Sequence, residues 1–472
     1  MPTSHNTEKQ ANAAWKLHPN YGGSSLHEQL AANEYSPVEE LEKLKARALR
    51  SLLEHCYDLV PYYKDLFARA KIQRRHLRDI SILNELPILD KAAVAANADR
   101  LRPLHVAPDQ RETKTTRSSG TTGEPIIIHH DKRSMGMFPW LKQRELRWFR
   151  YDPMATLLSI RPDIEMAKTP EGSLLKKREI LQLDYWPYMA GLFQTGRSWG
   201  FTNTNTIFDQ LELLNKLKPD YLIMQSSGLE FISLQEIASA AKQKLRAVQG
   251  ISNTLTPNMR RQIEDALQVP VNQDYGLNEI GLVAARCPDG GRYHVHEEHC
   301  IVEIVDEDGK PCSAGSRGKL LVTSLSNYTM PLLRYDADDL AEATEGLCSC
   351  GRTLATFGAV HGRYRRTAFL PEGTFERWGG LQSAVYRLAT EKLAAVRKYQ
   401  AYQDGSGAIE MRIDCDEGLF SELTLSCRRA YEEAYTLNTP PPLSFRRCSD
   451  FRGETERKFQ NFISEFTPER DQ

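Results

Sequence analysis

The chain has no apolar run of about 18 residues, so no stretch of it suits a membrane-spanning helix. It has no surplus of one charge either. Sixty-one basic residues face 62 acidic ones, a net charge of −1, which argues against capture of nucleic acid or an anionic membrane as its main role. Cysteine is scarce, nine in 472 residues and odd in number, which excludes a disulfide scaffold and suits reduced thiols in a cytoplasmic protein. The polar segment Met1–Asn20 lacks the apolar centre of a secretory signal. Internal repeats and low-complexity tracts are absent. So is the GxSxG elbow of serine hydrolases, and no Gly-Lys is followed by Ser or Thr as a P-loop requires.

What is present is the composition of a soluble globular enzyme, with 40% hydrophobic and 26% charged residues. A chain this long divides into two domains or three. Leu41, Leu44, Leu49, Leu52 and Leu53 predict helix within 38–70, and Asp90 is a candidate N-cap for a helix after Leu86-Pro-Ile-Leu-Asp-Lys91. From about 110 to 345 strands alternate with helices: strands at 126–128, 221–224 and 269–271, helices at 209–217, 229–241 and 259–267. That alternation predicts an α/β layered fold. Residues 300–305 and 319–325 predict a hairpin. A strand at 408–413, a helix at 421–435 and a strand at 443–446 predict a small α+β unit at the C-terminus. The expected division is a loosely held 1–36, a large α/β domain 37–362 and a small α+β domain 363–472.

The most informative segment is Thr116-Arg-Ser-Ser-Gly-Thr-Thr-Gly-Glu-Pro125. Two glycines three apart, set among hydroxyl residues, leave a backbone able to curl around a polyphosphate. Thr121 and Thr122 offer hydroxyls to phosphate oxygens or to Mg²⁺.

Ser118-Ser-Gly-Thr-Thr-Gly-Glu-Pro125 resembles the phosphate loop of the adenylate-forming ligases. Six further segments resemble their phenylacetate–CoA ligase branch, in order along the chain from about residue 55 to 363. They are Pro61-Tyr-Tyr-Lys-Asp-Leu-Phe67, Leu86-Pro-Ile-Leu-Asp-Lys91, Lys218-Pro-Asp-Tyr-Leu222, Asp274-Tyr-Gly-Leu-Asn-Glu279, Pro331-Leu-Leu-Arg-Tyr335 and Cys348-Ser-Cys-Gly-Arg352. The resemblance implies that ATP activates a carboxylic acid, aryl or arylacetic by default, as an acyl-adenylate, which then passes to CoA. It assigns ATP contacts to Ser118, Ser119, Gly120, Thr121, Thr122, Gly123, Tyr275, Gly276, Asn278, Asp339 and Arg363. Tyr275 would lie beside the adenine, Asp339 would hold the ribose hydroxyls and Glu279 would bind Mg²⁺. Lys458, in Phe451-Arg-Gly-Glu-Thr-Glu-Arg-Lys-Phe459, is the candidate adenylation lysine, with Thr122 and Glu279 as the other catalytic candidates.

The chain departs from the family pattern at several points. Asn278 stands where the family usually has Thr, and Asp338 replaces the usual Gly or another residue. Tyr364-Arg365-Arg366 follows His361-Gly362-Arg363 where aspartates are usual, and the Lys458 segment is a degraded form of the family's closing one. These departures keep two alternatives open: passage of the acyl group to an amine, a hydrazine or a carrier-protein thiol, and a catalytically inactive nucleotide-binding protein.

Cys287, His294, Cys348 and Cys350 form a candidate structural Zn²⁺ site of the Cys₃His type, with a spacing also found in members of the branch. In an extended segment His296 faces the same way as His294 and is the alternative fourth ligand. The aromatics Tyr185, Trp186, Tyr188, Phe193 and Trp199 either stack an aryl substrate or form core. The chain is expected to act as a monomer or homodimer.

Overall fold

The computed structural model describes residues 15–17, 25–108, 111–117, 126–161, 175–176, 178–189, 191–203, 205, 207–233, 237–252, 255, 257–363, 396–434, 441–451 and 462–465. The chain forms two compact units. One comprises Met1–Pro153, Trp186–Thr195 and Asp274–Val360; the other comprises Met154–Tyr185, Gly196–Gln273 and His361–Gln472. This differs from one large domain running to residue 362. The chain leaves the first unit and returns twice, because the alternating strands and helices between residues 154 and 273 build a core of their own.

In the first unit, helix Val38–Leu59 buries Leu41, Leu49, Leu52 and Leu53 along one stripe. It ends where Pro61 starts a second helix, Pro61–Arg69, whose Tyr63 and Phe67 are buried. Asp90 caps Lys91–Ala96, its carboxylate accepting from the Ala93 N–H at 2.7 Å. These helices pack on antiparallel strands ordered Cys300–Val305, Arg317–Ser324, Tyr335–Ala343, Thr356–Arg363, Tyr293–Val295 and Gly281–Arg286. The next strand, Val271–Leu277, pairs with Gly281–Arg286 from Asp274 onward. Strands Glu112–Arg117 and Ile127–Asp131 form a separate antiparallel ribbon.

In the second unit, strands Ala247–Ile251, Tyr221–Gln225, Leu157–Arg161 and Ser198–Thr202 are parallel, with Leu181–Leu183 antiparallel at the edge. The central strand Tyr221–Gln225 is buried at every position, as a parallel strand covered on both faces must be. Helices Ile207–Leu217, Ser226–Ser233, Ser239–Lys244 and Pro257–Leu267 supply the covering residues. The same unit includes a four-stranded sheet, ordered Leu443–Arg447, Ile409–Cys415, Val396–Gln403 and Phe462–Ser464, with helix Glu417–Ala434 packed on it.

Three expectations change. The helix read over 229–241 is two helices, Ser226–Ser233 and Ser239–Lys244. The strand read at 269–271 begins only at Val271 and runs to Leu277. The segment 1–36 was expected to be loosely held, yet Trp15 is buried and Ser25–Asn33 is a helix followed by the fully buried Glu34. Among the described residues no helix is long and apolar enough to cross a membrane.

Candidate active site

Strand Val271–Leu277 reverses through Asn278, Glu279 and Ile280 into Gly281–Arg286. The ladder shifts register between Tyr275 and Gly276. A Cβ at Gly276 would lie 3.0 Å from the Gly281 carbonyl oxygen, so the reversal is tight enough to favour glycine. Out of this turn the Tyr275 hydroxyl donates to Asp339 Oδ2 at 2.7 Å. The Tyr335 hydroxyl donates to Glu279 Oε1 at 3.1 Å, and both residues are buried. Thr116, two residues before Ser118, donates its hydroxyl to the Asn278 carbonyl at 2.7 Å. Its oxygen lies 2.8 Å from His130 Nε2, which therefore carries the proton and donates. Burial pushes the His130 pKa down to about 4, so the ring is neutral at pH 7.

The structure thus gathers Tyr275, Gly276, Asn278, Glu279 and Asp339 around one turn, beside the strand that leads into residues 118–123. Residues 118–123 themselves and Lys458 lie outside the described residues. Arg363 ends the strand Thr356–Arg363, and its side chain is outside the description. Asp338 has φ +61°, a conformation glycine adopts freely and Asp tolerates. Its N–H donates to Asp336 Oδ1 at 2.8 Å.

The scattered motifs are parts of one clasp. Arg334 donates to the carbonyls of Asn84, Leu86 and Gly309 at 3.0, 2.7 and 2.9 Å and to Glu303 at 3.1 Å. Leu89 and Tyr335 form a parallel bridge. Tyr63 donates its hydroxyl to the Pro331 carbonyl at 3.0 Å and accepts from the Leu333 N–H at 3.1 Å. Segments 61–67, 86–91 and 331–335 therefore lock together and fix the start of the strand bearing Asp339. In the sequence Arg334 and Tyr335 are landmarks only. Their role comes from contacts between segments some 250 residues apart in the chain.

Cys287, His294, Cys348 and Cys350 also converge, with one ligand atom from each lying within 4.8 Å of all the others. Tetrahedral zinc needs donors about 2.0–2.3 Å from the ion, and a cluster of this span suits that geometry. His294 Nδ1 stands 3.4 Å from the Leu354 carbonyl, and its Nε2 is 3.3 Å from Cys350 Sγ. The Gly290 N–H donates to Cys287 Sγ at 3.2 Å. A Cβ on Gly290 would sit 2.0 Å from Cys348 Sγ, so only glycine lets this loop close on the sulfurs. The thiol of Cys287 hydrogen-bonds to Cys350, which drives the Cys350 pKa down and that of Cys287 up. His296 points instead to Glu145, 3.2 Å away, and stacks on Trp148.

Helix Lys132–Trp148 has no clear signature in the sequence. Lys142, Arg144, Glu145 and Arg147 resemble an exposed charged face, yet all four are buried. Each has a partner. Lys142 bridges Asp274 at 2.6 Å and Glu145 at 2.9 Å. Arg144 forks onto Glu298 at 2.7 and 2.9 Å, and Arg147 meets Glu34. Burial alone would raise the Glu298 pKa, but Arg144 outweighs it and brings it to about 2. Burial lifts the Glu145 pKa to about 8 and lowers that of His296 to about 3. Neutral Glu145 can then donate to neutral His296 while Lys142 neutralises Asp274.

The aromatic segment is core where it belongs to the first unit. Trp15 packs edge-on against Trp186 and Phe193, with centroids 5.9 and 6.1 Å apart, and Tyr188 is fully buried. In the second unit Trp199 is buried and donates to Gln182 at 3.3 Å, whereas Tyr185 is exposed.

No family model matches the chain. It is 26% identical over 338 residues to a phenylacetate–coenzyme A ligase of Thermus thermophilus, covering 70% of this chain and 72% of that protein. A phenylacetate–coenzyme A ligase of Escherichia coli is 25% identical over 349 residues, with the same coverage of 70% and 72%. Among solved structures, a 2-hydroxyisobutyryl-CoA ligase in the postadenylation state with 2-HIB-AMP aligns with a TM-score of 0.67 at 13% identity. The match covers 98% of this chain and 97% of that one. The resemblance read from the motifs is borne out by these relatives, and the α/β fold by the structural likeness.

Proposed function

We propose that the protein uses ATP to activate a carboxylic acid and then transfers the acyl group to CoA. The observation that carries this reading is the convergence of Tyr275, Asn278, Glu279 and Asp339 on one turn, tied by Thr116 to the strand that leads into the 118–123 loop. The phenylacetate–CoA ligases among its relatives support both the chemistry and an aryl or arylacetic substrate.

In the first step a carboxylate oxygen attacks the α-phosphorus of ATP and pyrophosphate leaves. In the second the CoA thiol sulfur attacks the acyl carbon, gives up its proton, and AMP leaves. The protein's part is to align the reactants and to stabilise charge on the phosphorus centre. Asp339 accepts from the ribose hydroxyls and Tyr275 flanks the adenine. Glu279, oriented by the Tyr335 hydroxyl, would hold Mg²⁺, which supplies neutralisation of phosphate charge when bound. The loop residues Ser118, Ser119, Gly120, Thr121, Thr122 and Gly123 wrap the phosphates, and Lys458 draws carboxylate and α-phosphate together. Cys287, His294, Cys348 and Cys350 would hold a structural zinc ion, since four protein ligands leave no open position.

A panel of carboxylic acids, read by pyrophosphate release with ATP and Mg²⁺, tests the reading. Aryl and arylacetic acids should release pyrophosphate, and thioester should appear only when CoA is added. No release with any acid would leave the inactive-binder alternative. Release followed by product with hydroxylamine, but none with CoA, would favour a different acceptor.

A further inference from the structure

Within the first unit, helices Ser25–Asn33, Val38–Leu59 and Lys132–Trp148 line a cavity of about 600 Å³. Sites that enclose a small organic molecule span roughly 300–1,000 Å³. None of Tyr275, Asn278, Glu279 or Asp339 lines this cavity, so it is separate from the turn described above.

Its wall has two characters. Leu26, Leu30, Leu41, Leu44 and Met137 make an apolar surface. The acidic groups on the wall are already matched. Glu298 takes the Arg144 fork and the Asn33 amide, while Glu297 takes Lys45 at 2.6 Å and the Ala355 N–H at 2.8 Å. Lys45 in turn is shared with Glu42. What is left over is positive. Lys132 and Arg133 lie side by side on the wall, and no acidic partner of either is found among the described residues. The Arg133 guanidinium is held over the Tyr328 ring, 5.4 Å from its centroid.

Gly136 is the second observation. It lines the cavity from within helix Lys132–Trp148, where glycine is less favourable than alanine. Close packing against another element often explains a helical glycine, but Gly136 is exposed, and outside its own helix backbone and chain neighbours nothing lies within 4 Å of where its Cβ would be. The groove is therefore open above Gly136, one helical turn from the exposed cations at 132 and 133.

We propose that this cavity binds an amphipathic monocarboxylate. The apolar tail lies against Leu30, Leu41, Leu44 and Met137, passes over Gly136, and brings the carboxylate to Lys132 and Arg133. The proposal goes beyond the ligase reading and does not depend on it.

The probe is decanoate, titrated calorimetrically into the full chain without ATP, with 1-decanol as the neutral comparison. Decanoate should bind saturably at one site and 1-decanol about tenfold more weakly, the scale of one charge-assisted contact. Gly136→Trp should fill the space and abolish binding, and K132E/R133E should weaken it by about tenfold or more. Should Gly136→Trp fail to fold, the K132E/R133E result decides. Glu279→Ala should bind decanoate as the wild type does. Decanoate that binds Gly136→Trp undiminished but is lost in Glu279→Ala would place the acid at the adenylation turn, overturning this proposal and leaving the ligase reading standing. No saturable binding to the wild type, or equal binding of decanol, also overturns it. A failure of the acid panel to release pyrophosphate would sink the ligase reading alone.

Discussion

Glu279 and Tyr335 show how much a single side chain decides at this turn. Glu279 is buried, and its carboxylate accepts from the Tyr335 hydroxyl at 3.1 Å. Replacing it with alanine removes the anion proposed for Mg²⁺ without opening the core, because the turn is held by backbone and by Thr116. Glu279→Ala should slow pyrophosphate release by about 10²–10³-fold with an unchanged melting temperature, the scale for losing one preorganised charged group. Tyr335→Phe removes only the orienting hydroxyl and should cost about tenfold in kcat/KM for ATP, as a net hydrogen bond of about 1.4 kcal/mol would. Steady-state kinetics with circular dichroism as a folding control checks both. A Glu279→Ala enzyme of normal activity would remove that residue from the site. Glu279 was legible in the sequence because it belongs to a local motif. Tyr335 as its partner was not, because 56 residues separate them and only the fold brings them together.

At the scale of elements, the cysteine–histidine cluster brings the loop after strand Gly281–Arg286 against the turn before strand Thr356–Arg363, and the proposed zinc would staple the two. Purified protein should contain about one zinc per chain, and Cys350→Ser should lower both metal content and melting temperature, because closed structural sites contribute to folding. His294→Ala should lose the metal and His296→Ala should keep it, since His296 faces Glu145 and Trp148. Elemental analysis of the three variants is the check, and the reverse pattern for the histidines would be fatal to the assignment. The spacing of Cys287, Cys348 and Cys350 was readable in the sequence, and so was the hairpin Cys300–Val305 with Arg317–Ser324, because local patterning specifies both. The choice between two histidines on one face was not, since alternation places them alike and only the packing of helix Lys132–Trp148 tells them apart. That helix escaped notice for a related reason. Its charged residues are buried by partners as distant as Glu34 and Glu298, and a charged stretch normally signals a solvated face.

Across the whole molecule, buried titratable groups make stability depend on pH in a calculable direction. Burial depresses His130 and His299 to about 4 in the folded state, against about 6.5 when unfolded. His299 is held neutral between the Ile280 carbonyl at 2.9 Å and the Ser326 hydroxyl at 2.8 Å. Between pH 6.5 and 4 the unfolded chain takes up protons that these rings refuse. Stability therefore falls on acidification, by about 1.4 kcal/mol per pH unit for each histidine. His296, depressed to about 3, adds to the same slope. Glu145 works in the opposite sense. Its folded pKa of about 8 keeps it protonated where the unfolded carboxyl, at about 4.5, has ionised, so stability also declines as pH rises from 4.5 towards 8. Below 6.5 the three histidines outweigh the one acid, and between 6.5 and 8 Glu145 alone of these four groups acts. Urea midpoints should accordingly peak near pH 6.5 and fall on either side, more steeply towards acid. Glu145→Gln keeps the shape and neutrality of the protonated acid and should flatten the alkaline limb while leaving the acid limb intact. If the variant declines between pH 6.5 and 8 as the wild type does, Glu145 is ionised in the fold and the neutral Glu145–His296 pair beside Lys142 and Asp274 is wrong.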